Sequence, residues 1–216
     1  MPNKTPINRI INWLMRLFRL RKKIKIGVYG PPNTGKTTLA NKIISDFLGY
    51  SDWVVSDIPH ETRIIQSKRE IQIKSDNNTL IIDLFDMPGI IHKDILTDRH
   101  YYTFLEHGIG KAEAKRRLHE AIKGVVKSVK FAEKLDCALV VLDSRDDPYL
   151  KVNAIILGLL ESNDVKPIVV ANKIDLPGAD PEMVKEAFSK YPFVHMSAKN
   201  GQNIDKLYSL IIKTMG

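Results

Sequence analysis

The chain has 216 residues, 44% of them hydrophobic, which is enough to bury the core of one domain. Its formal net charge is +8, and the excess lies at the N-terminus: the first 25 residues carry eight basic side chains and no acidic one, whereas the rest carries 25 of each sign. The single cysteine, Cys137, excludes an intrachain disulfide, and no apolar stretch is long enough to span a bilayer, so we expect a cytoplasmic protein.

Residues 1–23 are predicted to form a basic amphipathic helix, which we call the arm. Apolar residues recur on one face at helical spacing, and arginines lie on the opposite face. The apolar residues are Ile7, Ile10, Ile11, Leu14 and Phe18. Three interpretations stay open: the arm docks on the main domain, it lies in an anionic membrane surface, or it binds RNA through residues 4–25. The second would make the protein a peripheral membrane protein.

Residues 24–216 alternate short β-rich runs with amphipathic helical patterns. This alternation predicts an α/β domain of three layers, in which helices cover both faces of a mostly parallel six-stranded sheet. The predicted strands are 24–29, 71–74, 79–85, 137–142, 167–171 and 193–196. The predicted helices are 37–48, 111–135, 150–162, 181–190 and 204–215. Ligands of such sheets bind at the carboxyl ends of the strands, where most of the motifs lie.

The first predicted strand leads into Gly30–Thr37, which reads Gly-Pro-Pro-Asn-Thr-Gly-Lys-Thr. This matches the Gly-x-x-x-x-Gly-Lys-Ser/Thr pattern, in which backbone N–H groups and a helix N-terminus surround a phosphate. Lys36 can reach the outer phosphates, and the Thr37 hydroxyl can join the shell of a magnesium ion. The residues expected to contact a nucleotide here are Asn33, Thr34, Gly35, Lys36, Thr37 and Thr38. The segment alone does not identify the base.

The fifth predicted strand ends in Asn172-Lys173-Ile174-Asp175. The Asp175 carboxylate can accept hydrogen bonds from the N1–H and 2-amino groups of guanine, a pair that adenine does not offer. Asn172 can orient the loop and meet the N7/O6 edge of the base, while the stem of Lys173 can lie along the base plane. The sequence therefore predicts guanine as the base.

A second segment supports guanine. Ser197-Ala198-Lys199 follows the last predicted strand, and the backbone N–H of Ala198 is placed to donate to the guanine O6.

The third predicted strand ends in Asp86-Met87-Pro88-Gly89. Asp86 is suited to hold magnesium through a water, and the N–H of Gly89 to meet the terminal phosphate. Loss of that phosphate would release the loop, as in proteins that switch with their nucleotide. Thr62, on the polar loop after the first helix, is assigned to close over magnesium and the terminal phosphate. Lys36 and Thr62 are therefore the predicted catalytic residues.

The order and spacing of these segments resemble the Ras-like P-loop GTPases, and their details resemble the Era-like branch, which contains Era, Der and the tRNA-modification GTPase TrmE. The resemblance covers residues 24–216 and implies a G domain that binds GTP with Mg²⁺ and hydrolyses it as a molecular switch. In several members an asparagine at the position of Asn33 helps to coordinate K⁺. Whether Asn33 binds potassium or only shapes the loop stays open.

The sequence departs from the Ras-type pattern after Gly89. Ras-type proteins carry a water-orienting glutamine there, whereas this chain has Ile90. Because isoleucine cannot orient water, we expect a low intrinsic rate, and the water-orienting residue stays unknown among Glu61, Gln66 and Glu106. The alternative function is a non-catalytic module that recruits a partner at a membrane or ribosome according to bound GTP or GDP.

The spacing also predicts a helical insertion at about residues 91–135. Its long helix, 111–134, has an apolar stripe and a basic outer face. The stripe comprises Leu118, Ile122, Val125, Val129 and Ala132. The basic face comprises Lys115, Arg116, Lys123, Lys127, Lys130 and Lys134. Two interpretations stay open: a solvated helix that covers the sheet, or a surface that binds RNA or an anionic membrane. No protein effector can be named.

Overall fold

The computed structural model describes residues 23–50, 53, 64–75, 78–90 and 110–216. Several predicted features lie outside these residues: the arm up to residue 22, Thr62, Glu61, Glu106, and residues 91–109 of the insertion. The side chains of Lys115 and Leu118 are also outside the description. Predictions that depend on these residues therefore stay predictions.

The described strands form one six-stranded sheet, in the order β2-β3-β1-β4-β5-β6. Only β2 runs antiparallel, against β3, and the remaining pairs are parallel. The strands are β1 (Ile24–Tyr29), β2 (Gln66–Ser75), β3 (Asn78–Asp86), β4 (Cys137–Asp143), β5 (Lys166–Asn172) and β6 (Phe193–His195). The predicted mostly parallel α/β sheet is confirmed.

Helices cover both faces of this sheet, as the near-continuous apolar runs of β1, β4 and β5 require. One core packs α1 and α5 on the sheet, and the other packs α3 and α4 together with half-buried residues of α2. The helices are α1 (Lys36–Leu48), α2 (Lys111–Phe131), α3 (Lys151–Ser162), α4 (Pro181–Ala187) and α5 (Ile204–Met215). Within the described ranges, none of them is long and apolar enough to cross a membrane.

The sheet register brings four strand ends to one edge. Val28 pairs with Asp86, the last residue of β3. Asp143, the last residue of β4, pairs with Asn172, the last residue of β5. The chain leaves β1 at the same edge to enter α1. Three polar side chains that end buried strands therefore lie beside the N-terminus of α1, where anions bind favourably.

The buried face of α2 differs from the predicted apolar stripe. Ala132 is buried and Val125 is half-buried as expected, but Ile122 and Val129 are 39% and 40% exposed. The expectation is wrong for these two residues because small residues at a spacing of four face the sheet instead. Gly124 and Ser128 of α2 are buried there, together with Ala132 in the short 3-10 turn that follows the helix.

A tyrosine of β1 explains this choice of face. The fully buried Tyr29 donates its hydroxyl to the backbone oxygen of Ser128 at 2.8 Å. The Ser128 hydroxyl in turn donates to the oxygen of Gly124 at 3.0 Å. A buried hydroxyl needs such a partner, and only small side chains let the helix backbone come close enough to supply it.

Candidate nucleotide site

The loop between β1 and α1 is folded back on its own backbone. Asn33 and Gly35 have φ of 60° and 94°, both in the left-handed region. The carbonyl oxygen of Pro31 accepts hydrogen bonds from the Thr34 hydroxyl at 3.1 Å and from Nζ of Lys36 at 2.6 Å. Lys36 is only 6% exposed, and this burial lowers its pKa to about 8, against the opposing effect of Asp86. The lysine is therefore poised for an anionic partner.

Thr37, the second residue of α1, contacts the carboxylate that the sequence predicts to hold magnesium. Thr37 donates to Oδ2 of Asp86 at 2.6 Å. Asp86 is fully buried, and its Oδ1 has no hydrogen-bond partner among the described residues. Burial raises its pKa to about 6, although the Thr37 hydrogen bond and the charge of Lys36 oppose the change.

This pair fits the magnesium site that the sequence predicts. A hydroxyl and an otherwise unsatisfied carboxylate oxygen are ligand types that Mg²⁺ takes together with substrate phosphates and water. The described residues contain no cluster of three or more His, Cys, Asp or Glu side chains, so a purely protein-built metal cage is absent from this part of the chain. The predicted third contributor, Thr62, is outside the described residues.

The segment after Asp86 lies directly against the phosphate loop. The N–H of Ile90 donates to the oxygen of Gly30 at 3.2 Å. Gly89 is so close to Pro32 that a Cβ atom on it would stand 3.1 Å from the proline backbone. The Ile90 side chain is 3% exposed and belongs to the core on the α3 face. The position that holds glutamine in Ras-type proteins is thus occupied by a core side chain.

Asn172 joins the phosphate loop to the turn after β6. Its Nδ2 donates to the oxygen of Thr34 at 2.8 Å, and its Oδ1 accepts from the N–H of Ala198 at 2.9 Å. This geometry supports the predicted orienting role of Asn172. The Ala198 N–H would have to leave Asn172 to reach a guanine O6. Ser197 shapes the same turn because its hydroxyl accepts from the N–H of Asn200 at 3.1 Å, whereas Lys199 is exposed.

The two remaining base-contact candidates lie on the turn after β5. Lys173 has φ of 64° and donates its ammonium to the oxygen of Asn33, so it also reaches the phosphate loop. Asp175 is half-buried, and its negative charge acts on the guanidinium of Arg145. Its carboxylate is the group that the sequence predicts to accept the two donors of guanine.

Sequence reasoning missed three residues at this edge. Asp143 ends β4 and pairs with Lys173, Ser144 donates to the oxygen of Asn172, and Arg145 donates to Asp143. The available signal was positional: Asp143 ends an apolar run, as Asp86 and Asn172 do.

Gly35 allows the phosphate loop to approach Asn172. A Cβ atom at this position would lie 2.3 Å from Nδ2 of Asn172, on a backbone whose φ already disfavours side chains. We expect Gly35→Ala to break the Asn172–Thr34 bond and to weaken nucleotide binding by about 1–3 kcal/mol. Titration with GDP measures this. Gly158→Ala on α3, where a Cβ atom meets nothing within 4 Å, is the control and should bind normally. Unchanged binding by Gly35→Ala would contradict the expected contact.

The sheet order, the phosphate loop and the polar strand ends define a P-loop nucleotide-binding domain. Comparison with known families agrees, since the 50S ribosome-binding GTPase family matches residues 25–173. The chain belongs to this family, as the Era-like resemblance predicted.

Individual relatives are of the same kind. The tRNA modification GTPase MnmE of Nitrosomonas europaea is 26% identical over 197 residues, which are 91% of this chain and 36% of that protein. GTPase Der of Caldanaerobacter subterraneus subsp. tengcongensis is 31% identical over 202 residues, covering 88% of this chain and 39% of Der. The chain therefore spans well under half the length of these relatives.

Two solved structures of Era share the fold. Aquifex aeolicus Era bound to GDP.AlF4- superposes with a TM-score of 0.64 at 22% identity, covering 89% of this chain and 56% of Era. Era in complex with MgGDPNP and nucleotides 1506–1542 of 16S ribosomal RNA gives 0.62 at 22% identity, with the same two coverages of 89% and 56%.

Proposed function

We propose that this chain binds GTP with Mg²⁺, hydrolyses it slowly, and works as a molecular switch. The observation that carries the proposal is the Asn172 side chain, which is hydrogen-bonded to both Thr34 and Ala198. Through it, a phosphate-binding loop and the turn that carries Asp175 are held at one edge of the sheet. Membership of a GTPase family supports GTP as the substrate.

Different residues of the chain are assigned to the phosphates, the magnesium ion and the base of the nucleotide. Lys36 turns from Pro31 to the β- and γ-phosphates, where its charge stabilises the transferred group. Thr37 and Asp86 hold magnesium, whose charge offsets that of the phosphate oxygens when it is bound. Asp175 selects guanine through its N1–H and 2-amino groups, and Lys173 covers the base plane.

The attacking water is oriented by a group other than residue 90, because the Ile90 side chain is buried in the core. A low intrinsic rate follows. Asn33 supplies the proposed compensation: its side chain is exposed at the tip of the phosphate loop, where a potassium ion held by it would neutralise charge that develops on the phosphates. Thr62 is proposed to close the site from the other side.

This proposal predicts that hydrolysis depends on the monovalent cation. We expect phosphate release from GTP at saturating Mg²⁺ to be about tenfold faster in potassium than in sodium buffer, since a well-placed cation stabilises the transition state. Asn33→Gly, which removes the side chain but tolerates the left-handed backbone at this position, should reduce the rate in potassium to the rate in sodium while leaving GDP affinity nearly unchanged. Equal rates of the unaltered chain in both buffers would refute potassium activation and leave Asn33 with a loop-shaping role only.

The segment from Asp86 to Ile90 is the proposed sensor of the terminal phosphate. It rests on the phosphate loop through the hydrogen bond from Ile90 to Gly30 and the contact of Gly89 with Pro32. A γ-phosphate that enters between these loops would draw the N–H of Gly89 toward itself, and its loss would release the segment. The helix α2 lies further along the same connection.

The proposed partner is an RNA of the ribosome, which binds the basic face of α2 and the arm. Lys123, Lys127, Lys130 and Lys134 are all exposed. The complex of Era with a segment of 16S ribosomal RNA supports this class of partner, and the family name supports a ribosomal location. The hydrogen bond from Tyr29 to Ser128 links α2 to the residue before the phosphate loop. We therefore place the protein in the cytoplasm.

A second candidate function is favoured by the buried Ile90. Without a water-orienting glutamine, the chain would act as a non-catalytic module that recruits its partner, at a membrane or a ribosome, according to whether GTP or GDP is bound. The two functions differ in one readout, namely repeated turnover of GTP.

A further inference from the structure

The end of β4 carries a buried carboxylate that none of the proposed steps uses. Asp143 is 5% exposed, and Arg145 donates to it from Nε at 3.0 Å and from Nη2 at 2.7 Å. The Arg145 backbone N–H adds a third bond to Oδ1 at 3.1 Å. The ammonium of Lys173 lies 2.9 Å from Oδ2. One carboxylate therefore holds two cations, and one of them belongs to the proposed guanine site.

The backbone beside Asp143 is fixed to the same site. The N–H and hydroxyl of Ser144 both donate to the oxygen of Asn172, at 3.0 and 2.7 Å. The oxygen of Ser144 accepts from the N–H of Asp180 at 2.7 Å, beyond the turn. Asp143 is thus held at a constant position relative to residues 172–175, which makes it a rigid anchor for a flexible side chain.

Lys173 is the flexible side chain in question. Its ammonium is held from two sides, by the oxygen of Asn33 and by the carboxylate of Asp143. Burial alone would raise the pKa of Asp143, but the hydrogen bonds from Arg145 and Lys173 outweigh it and lower the pKa to about 2. The carboxylate is therefore charged at neutral pH and keeps both cations.

We propose that Asp143, itself oriented by Arg145, is a positioning residue of the guanine site that presets Lys173 to cover the base. It touches neither the base nor the phosphates. Its role is to hold the lysine stem, which would otherwise sample many rotamers, in the conformation that binds the base plane. This inference rests on the proposed function, since it assumes that Lys173 contacts a guanine nucleotide.

The experiment measures the binding of GDP, IDP and ADP to the full chain by calorimetry, in Mg²⁺ at neutral pH. Asp143→Asn is expected to lower the affinity for GDP by about tenfold, because a charged hydrogen bond that orders a long side chain is lost. IDP affinity should fall in the same proportion, since the base plane and not the 2-amino group is affected. Glu161→Gln is the matched control, and its binding should be unchanged. Glu161 also accepts from a lysine and a second donor, at 2.8 and 2.9 Å, but lies at the end of α3.

A double-mutant cycle separates positioning from a structural role. If Asp143 acts through Lys173, Asp143→Asn should cause no further loss in a Lys173→Met background. Unchanged GDP affinity of Asp143→Asn, or losses that add in the double variant, would overturn the inference while leaving the proposed function intact. If the unaltered chain showed no preference for GDP over ADP, the proposed function itself would fail. If circular dichroism shows that Asp143→Asn does not fold, Arg145→Ala replaces it in the cycle, since Arg145 is exposed. An Arg145→Ala variant that loses no GDP affinity would overturn the inference.

Discussion

Replacing Asp175 by asparagine is expected to lower the affinity for GDP by about 100- to 1000-fold, because the N1–H and 2-amino donors of guanine would lose their charged acceptor in a desolvated site. The amide should instead favour xanthine, whose 2-oxo group can accept the hydrogen bond that an asparagine NH₂ donates. The measurement is a titration of the full chain with GDP, XDP and ADP in the presence of Mg²⁺.

A matched control lies five residues further along the chain. Asp180 caps α4 by accepting the N–H of Met183 at 3.0 Å. Because asparagine caps helices about as well as aspartate, Asp180→Asn should leave both stability and GDP binding nearly unchanged. If Asp175→Asn bound GDP as tightly as the unaltered chain does, the base site would have to lie elsewhere.

Replacing Lys36 by methionine is expected to lower GDP affinity by about 100-fold and to abolish GTP hydrolysis, since the charged hydrogen bonds to the phosphates are lost. The buried position suits methionine, so the fold should persist. The control is Lys74→Met. Lys74 is exposed and lies at the end of β2 that is far from the site, so this substitution should change neither GDP affinity nor hydrolysis. Hydrolysis that persisted in Lys36→Met would contradict the role of this lysine.

The lowered pKa of Lys36 predicts that GDP binding is coupled to proton uptake in a defined pH range. Without nucleotide its pKa is about 8, because the ammonium is buried. Phosphate favours the protonated form and raises this pKa, so GDP binding near pH 8 should take up a fraction of a proton. Below about pH 7 the lysine is protonated in both states and the uptake should vanish. Calorimetry in buffers of different ionisation enthalpy measures the uptake, and Lys36→Met should lose it.

The local sequence pattern was sufficient to predict most of the strands and helices. Runs such as 24–29 and 137–142 contain apolar residues that only a covered sheet can bury, and the helix 204–215 begins and ends as predicted. The second strand is longer than the apolar run 71–74 because it continues as an antiparallel edge strand with polar residues. It contains a bulge at Glu70, where φ is 61° and the N–H donates to Asp83 at 2.9 Å. No short-range pattern predicts such a bulge.

The site was predictable where its residues are contiguous. Gly30–Thr37 and Asn172–Asp175 each hold the residues of one proposed role within a few positions, so a short sequence pattern is enough to suggest that role. The pairing of Asp143 with Lys173 joins residues 30 positions apart, and it depends on the register between β4 and β5. The buried face of α2 depends on a tyrosine hydroxyl from β1. Such long-range contacts arise only in the assembled fold.

The most direct test of the account is phosphate release under multiple turnover by the full chain, with GTP and with ATP, in Mg²⁺ and potassium. We predict slow release from GTP that exceeds one phosphate per chain, stops when Mg²⁺ is chelated, and is absent with ATP. Tight GTP binding without any release would contradict the proposed hydrolysis and favour the recruiting module. Equal release from ATP would contradict the guanine site.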